Sequence, residues 1–204
     1  MEGDKVYRAR VLLGIRTDTG DITGKAVERG PLPDLSWIKI KQVLKKFLGA
    51  SDQTPPMYSA IKLNGRKLYK LARKGIEIPR APRKIRIMEL DLLDAAKDEL
   101  EFRIRCSKGT YVRALIEDIG RALGVPATLK ALVRERSGTY EIGDAISWNE
   151  LLKMDRESLL SVSHLISSPS KGEDTGGGEN RVSSHPHPNL PPSRGKGIEG
   201  LQIQ

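Results

Sequence analysis

Leu100-Glu101-Phe102-Arg103-Ile104-Arg105-Cys106-Ser107-Lys108-Gly109-Thr110-Tyr111-Val112-Arg113 reads as a strand that passes through a small basic turn into a helix. Leu100, Phe102, Ile104 and Cys106 alternate with Glu101, Arg103 and Arg105, the period of a strand with one face in a core. Past the turn, Tyr111, Leu115 and Ile119 recur every four residues, Ile116 and Leu123 widen the stripe, and Gly124 supplies a stop, which predicts a helix. Lys108, Arg113 and the helix's first N–H groups are thereby expected around one spot that suits an anion or a nucleic-acid backbone. Strand–glycine–helix corners occur throughout α/β proteins, so this corner alone assigns no function.

Outward from it, Val6 to Leu13 reads as a strand ending at Gly14, followed by a polar, turn-rich loop from Thr17 to Gly24. Trp37, Ile40, Val43, Leu44, Phe47 and Leu48 mark an amphipathic helix closed by Gly49. Gln53-Thr54-Pro55-Pro56 breaks any regular element. Lys67 to Lys74 is expected to be helical, with Leu68, Leu71 and Ala72 inward, Arg66, Lys70, Arg73 and Lys74 outward, and Gly75 as its stop. Ile85–Leu93 reads as a strand whose alternation slips between Ile87 and Leu90, a bulge. Ser147-Trp148-Asn149-Glu150 is a capping box that opens a last helix through Met154. Strands and helices mix without a strict βαβ rhythm, so the fold class is α+β, a mixed, largely antiparallel sheet flanked by helices.

The chain has 204 residues, 38% of them hydrophobic, enough for one sizeable domain, placed at 1–166. Residues 167–204 are a Gly/Pro/Ser-rich stretch expected to be a disordered tail, because it offers too little apolar surface to offset its chain entropy. Four bases and four acids balance within that tail, so the net charge of +9 belongs to the body. A basic body favours a polyanionic partner, nucleic acid before membrane. No run approaches 18 apolar residues, and Met-Glu-Gly-Asp-Lys lacks the apolar core of a signal peptide. The single cysteine, Cys106, excludes an internal disulfide and reads as a buried structural thiol, which with the rest points to the cytoplasm. His185-Pro186-His187 has no further ligands beside it, so no metal is expected. His164, His185 and His187 lie at or beyond the edge of the body, which leaves Ser/His and Cys/His catalysis unsupported.

Four blocks, in order over about residues 3–140, together resemble the bacterial tRNA pseudouridine-55 synthase family of the TruB type. They are Lys5-Val6-Tyr7 through Leu13-Gly14 to Thr17-Asp18-Thr19-Gly20-Asp21 and Gly24, and Gln53-Thr54-Pro55-Pro56-Met57-Tyr58-Ser59-Ala60-Ile61-Lys62 with Gly65-Arg66-Lys67-Leu68-Tyr69 and Ala72-Arg73. The opening motif extended to Asp118-Ile119-Gly120 follows, then Leu132 with Arg134 and Ser137-Gly138. The resemblance implies an RNA-modifying isomerase, acting without metal or organic cofactor on one uridine of the TΨC arm of tRNA. The uracil is detached from ribose at N1 and rejoined through C5, and the enzyme must flip it out of its loop. By resemblance, Tyr7 stacks on the target base and is a candidate proton acceptor, Arg113 pairs with the catalytic carboxylate, and Leu132 lies beside the base. Lys62, Arg66, Lys70, Arg73 and Lys108 are expected to bind the RNA, as a monomer with no membrane partner.

The family's nucleophile is an aspartate in a Gly-x-x-Asp-Pro segment ahead of the tyrosine strand, and these 204 residues contain no such segment. The chain is therefore expected to be N-terminally truncated and inactive alone, with Arg113 left without its partner. Asp18 and Asp21 stand in Thr/Gly-rich context that reads as turn capping rather than as a substitute nucleophile. Val133 and Thr128 depart from the basic residue and histidine common at those family positions. The alternatives are an inactive remnant, a non-catalytic tRNA-binding protein, or a basic globular domain engaged in protein contacts.

Overall fold

In a computed structural model of the chain, residues 3–63 and 65–166 are described; the tail reading and His185 and His187 fall outside them. The chain order is β1 (Lys5–Leu13), β2 (Ile15–Thr17), β3 (Ala26–Arg29), α1 (Trp37–Lys45), β4 (Gly49–Gln53), β5 (Lys62–Leu63), β6 (Arg66–Lys67) and α2 (Leu68–Ala72). Then come β7 (Arg83–Ala95), β8 (Glu99–Cys106), α3 (Val112–Leu123), β9 (Ala127–Ser137), β10 (Tyr140–Glu141), a 3-10 turn (Ile142–Asp144), α4 (Trp148–Leu151) and α5 (Arg156–Ile166). The contacts divide into two compact units, Met1–Leu151 and Leu152 onward.

The first unit is built on a six-stranded sheet in the order β10-β9-β1-β8-β7-β4. Every pairing in it is antiparallel, so the α+β expectation holds and the sheet is less mixed than the sequence suggests. In β1 the odd positions Ala9, Val11 and Leu13 are buried, opposite Phe102 and Leu100 of β8. Residues directly opposite in a ladder point to the same side, so one sheet face is apolar, and α1 and α3 cover it. Ile40, Val43 and Leu44 of α1 and Val112, Leu115, Ile116, Ile119 and Leu123 of α3 complete that core. Each such side chain contributes about 1.5–3 kcal/mol when fully buried.

The other face carries charge in pairs. Glu101 accepts from Arg8 and Arg10, Asp4 from Arg105 and Arg136, and Glu135 from Arg103. This pairing of cross-strand neighbours lets a sheet face remain polar without self-repulsion.

Gly120 permits α3 to approach β9, because a Cβ there would stand 2.5 Å from Ala127 Cβ and 2.8 Å from the Val125 carbonyl. The helix ends at Gly124 with φ +78°, the left-handed stop read from sequence.

Several elements differ from the sequence reading: α1 ends at Lys45, short of Phe47 and Leu48, with Gly49 opening β4, and α2 is shorter than Lys67–Lys74. Residues 127–137 form β9, a long strand with no visible alternation, because the register against β1 shifts at Val6/Tyr7 and at Arg10/Val11. Each shift inserts an extra residue in β9 and flips its parity, so the two bulges scramble period 2. Gln53 ends β4 instead of belonging to a break. The Ser147 capping box forms, with Ser147 N donating to Glu150 at 2.9 Å and Glu150 N to Ser147 Oγ at 3.2 Å, yet α4 stops at Leu151. A separate helix, α5, starts behind Asp155, whose carboxylate accepts from Ser158 N at 2.8 Å.

Candidate functional site

Tyr7 sits near the middle of the sheet, opposite Ile104 of β8 and Arg134 of β9. Leu132 is opposite Ala9, two positions along β1 from Tyr7. By the ladder rule Tyr7, Leu132 and Arg134 therefore share the apolar face, and the bulge opposite Arg10/Val11 is what brings even-numbered residues of β9 there. Tyr7 packs against the core as a half-buried ring, whereas Leu132 is 42% exposed beyond the cover of α3. An uncovered leucine and a half-covered tyrosine on one sheet face make an apolar platform of the kind on which a base can lie.

Burial pushes the Tyr7 phenol above its usual value, with the Cys106 thiol adding to the rise and Arg134 opposing it. At neutral pH the ring is thus a neutral phenol, suited to stacking and to donating a hydrogen bond. Cys106 is fully buried, and burial raises its thiol as well, in keeping with the structural role read from sequence.

Arg113 begins α3 and does not reach outward with Lys108 as the sequence suggests. Its Nη1 donates to the Thr19 carbonyl at 2.8 Å and to Asp21 Oδ2 at 3.0 Å, and its Nη2 to the Tyr58 carbonyl at 2.7 Å. The expectation of an arginine without a partner is corrected here: Asp21 holds it in a part-buried ion pair. Asp21 does cap its turn as read, since Oδ1 accepts from Thr19 Oγ1 at 2.9 Å, Thr23 N at 3.1 Å and Thr23 Oγ1 at 2.5 Å. Its second oxygen is turned to the arginine. Partial burial works to raise the Asp21 carboxyl, but the Thr23 and Thr19 hydrogen bonds and the Arg113 charge win, holding it below the usual carboxylate range.

The turn also ties Arg113 to the platform strand. Leu129 N donates to the Gly20 carbonyl at 3.0 Å and Ile22 N to the Leu129 carbonyl at 3.0 Å, so residues 20–22 run beside β9 three positions before Leu132. Gly24 closes the turn because a Cβ there would collide with Thr19 and Asp18. At the helix start, the Gln53 amide brackets Tyr111, accepting from its N–H at 2.8 Å and donating to its carbonyl at 3.1 Å.

Beside Arg113 an open cleft of about 660 Å³ lies among turn 16–20, residues 52–58, residues 72–80 and the first turns of α3. Tyr7 and Leu132 do not line it. Glu117, one turn after Arg113, does, and burial raises its carboxyl above the usual value. The i, i+4 spacing from Arg113 was the available signal for it.

Of the basic residues, Lys62 and Arg66 lie on the β5–β6 hairpin, Lys70 within α2 and Arg73 at its end; Lys62, Arg66 and Lys70 are exposed. Arg73 stands over the Tyr69 ring at 5.4 Å and Lys67 at 5.8 Å. These cations share one segment with Tyr58, whose carbonyl holds Arg113. Lys108 is exposed in the turn between β8 and α3. No cluster of three or more His, Cys, Asp or Glu side chains able to hold a metal occurs among the described residues, and no helix among them is long and apolar enough to cross a membrane.

Solved structures share this architecture. A chain of a Cbf5-Nop10-Gar1 complex aligns with TM-score 0.54 at 28% identity, covering 74% of this chain and 36% of that one. An H/ACA RNP bound to a substrate RNA containing 2'-deoxyuridine is similar in fold, with TM-score 0.50 at 24% identity over 74% of this chain and 34% of that one. Sequence narrows the class further. Residues 1–112 match the TruB family pseudouridylate synthase N-terminal domain, and residues 113–165 match the tRNA pseudouridylate synthase B C-terminal domain.

The chain belongs to the TruB family of pseudouridylate synthases. It is 43% identical over 172 residues to tRNA pseudouridine synthase B of Dechloromonas aromatica, covering 82% of this chain and 57% of the relative. The protein of that name from Bordetella avium is 41% identical over 169 residues, covering 81% and 69%. The chain thus spans a little over half to about two-thirds of the length of these relatives.

Proposed function

We propose that this chain carries the base-binding side of a tRNA pseudouridine synthase site, acting on a uridine of the T-arm loop. The observation that supports it most is that Tyr7 and Leu132 share one sheet face while Arg113, pinned by Asp21, is tied to the same strand through residues 20–22. A uridine extruded from its loop lies on the Tyr7–Leu132 platform, which replaces the stacking lost on flipping. The C1′–N1 bond breaks, the freed uracil turns, C1′ bonds to C5, the C5 proton leaves and N1 gains a proton. Atoms balance without an outside reactant, so the reaction is an isomerisation that needs no cofactor. A neutral Tyr7 phenol acts here first by stacking; its service as proton acceptor requires its burial to be relieved as the base arrives.

The attacking carboxylate is supplied by a Gly-x-x-Asp-Pro segment, which these 204 residues do not contain. Arg113, fixed by two carbonyls and Asp21, is the group that orients it. The second reading, a tRNA-binding protein without chemistry, is favoured by Arg113 being already paired with Asp21. Incubation with a T-arm stem-loop, read by mass spectrometry of the nucleosides after labelling of pseudouridine, separates them. The chain alone is expected to be silent, and fusion to a Gly-x-x-Asp-Pro-bearing segment of a relative to restore turnover that Arg113→Ala abolishes. Turnover by the chain alone overturns the assignment of the nucleophile; silence of the fusion favours the binding protein.

A further inference from the structure

The basic charge of this protein is concentrated in two places. Most arginines of the sheet and of α3 are in ion pairs, among them Arg8, Arg10, Arg103, Arg105, Arg113, Arg121 and Arg136. The hairpin and α2 hold Lys62, Arg66, Lys67, Lys70, Arg73 and Lys74 with no acid among residues 62–76. The second concentration, which the site above does not use, is α1: Lys39, Lys41, Lys45 and Lys46, with no acid between Leu35 and Ser51. Set these ten cations aside and 25 basic residues face 26 acidic ones, so the two patches carry the whole surplus.

The α1 lysines do not serve the helix that bears them. All four are exposed, while Ile40, Val43 and Leu44 take the buried face. No ion pair holds any of them among the described residues; Lys41 alone rests on a ring, that of Trp37, at 5.5 Å. Ser36 caps the helix, accepting from Lys39 N at 3.3 Å. The third position after such a cap favours Glu, which would complete a capping box, and a cation in the first turn opposes the helix dipole. Lys39 stands there instead. Lys41 and Lys45 are four apart, a like-charge spacing that weakens a helix by a few tenths of a kcal/mol. Only Lys45 and Lys46, at the C-terminal end, agree with the dipole. Local stability thus argues against half of this patch, which points to a role outside the helix.

We infer that the outer face of α1 is a second contact for the phosphate backbone of the substrate RNA, engaging the part of the tRNA beyond the stem-loop that enters the site. Placement agrees. β4 leads from the end of α1 to Gln53, which brackets Tyr111 at the start of the Arg113 helix. Five strand residues at about 3.3 Å each put the start of β4, three residues past Lys46, within roughly 20 Å of that point. A folded RNA with a loop at Tyr7 presents a continuous row of phosphates over such a distance, and duplex carries about one charge per 1.7 Å of axis. The inference rests on the reading that the substrate is tRNA, and goes beyond it in assigning a contact outside the T-arm.

The test compares the full chain with a variant bearing Lys39→Gln, Lys41→Gln, Lys45→Gln and Lys46→Gln, which keeps helix-favouring side chains, and with the corresponding fourfold Lys→Arg variant. Anisotropy titrations use a whole tRNA transcript and an isolated T-arm stem-loop, each at several salt concentrations. The Gln variant is expected to bind whole tRNA at least about tenfold more weakly at low salt, with the log–log salt slope reduced by about 2–4, while stem-loop binding is unchanged. The Arg variant is expected to match the wild type on both RNAs. Equal affinities of wild type and Gln variant for whole tRNA overturn the inference, as does an equal loss on both RNAs. Failure of the wild type to bind either RNA defeats instead the functional reading beneath it.

Discussion

Replacing Asp21 with asparagine removes one negative charge from the Arg113 site while keeping shape, and its consequence follows from the geometry. The substituted side chain retains an oxygen for Thr19 and Thr23, but presents an amide where Oδ2 of Asp21 accepted from Arg113 at 3.0 Å. Arg113 keeps its Thr19 and Tyr58 carbonyls, so the guanidinium is not orphaned. A hydrogen bond to a charged group contributes about 1.5–3 kcal/mol, and with both partners about three-quarters buried the loss is expected near 2 kcal/mol. For a unit of this size that lowers Tm by roughly 4–8 °C.

The pH dependence identifies the cause. The Asp21 carboxyl lies below its unfolded value in the folded protein. Its contribution is therefore complete above about pH 4 and is lost as pH falls through the folded value. Urea unfolding of wild type and Asp21→Asn at pH 7, 5 and 3 is expected to show a stability gap that is full at pH 7 and 5 and shrinks at pH 3. A gap of the same size at all three pH values refutes the charge argument, and no gap at pH 7 refutes the ion pair's contribution.

Three further outcomes are expected. Gly120→Ala forces a Cβ to 2.5 Å from Ala127 and is expected to destabilise by about 2–3 kcal/mol, measured as a fall in the urea midpoint. Glu117→Gln removes a carboxyl whose charged form burial disfavours, so it is expected to raise Tm at pH 7 and to lose that advantage below about pH 4, where the carboxyl is protonated both folded and unfolded. Tyr7 is expected to ionise above the usual tyrosine range in an ultraviolet alkaline titration, with Tyr7→Phe removing that late step; because its folded value is raised, stability falls as pH climbs past about 10.

The parts of the fold legible in the sequence are those whose periodicity is undisturbed. β8 and α3 obey simple periods because each buries one unbroken apolar face, and the bulge in β7 is visible as a slip near Ile87. β9 hides because two bulges interrupt it. At the site, Tyr7, Arg113 and Leu132 are identified by resemblance. Asp21 reads correctly as a turn cap, yet half of its role stays unseen, since Arg113 is 92 residues away. Local hydrogen bonds leave a signature at spacings of two or three residues; a second carboxylate oxygen turned toward a distant helix leaves none.

Placement of a displaced uracil against Tyr7 and Leu132 is tested most directly with a T-arm stem-loop carrying 5-iodouridine at the target position. The RNA is irradiated on the bound chain, and the crosslinks are mapped by peptide mass spectrometry. Crosslinks in the β1 peptide at Tyr7, absent with Tyr7→Ala, are the expected result. Crosslinks confined to the charged face, at Arg8 or Arg103, contradict it.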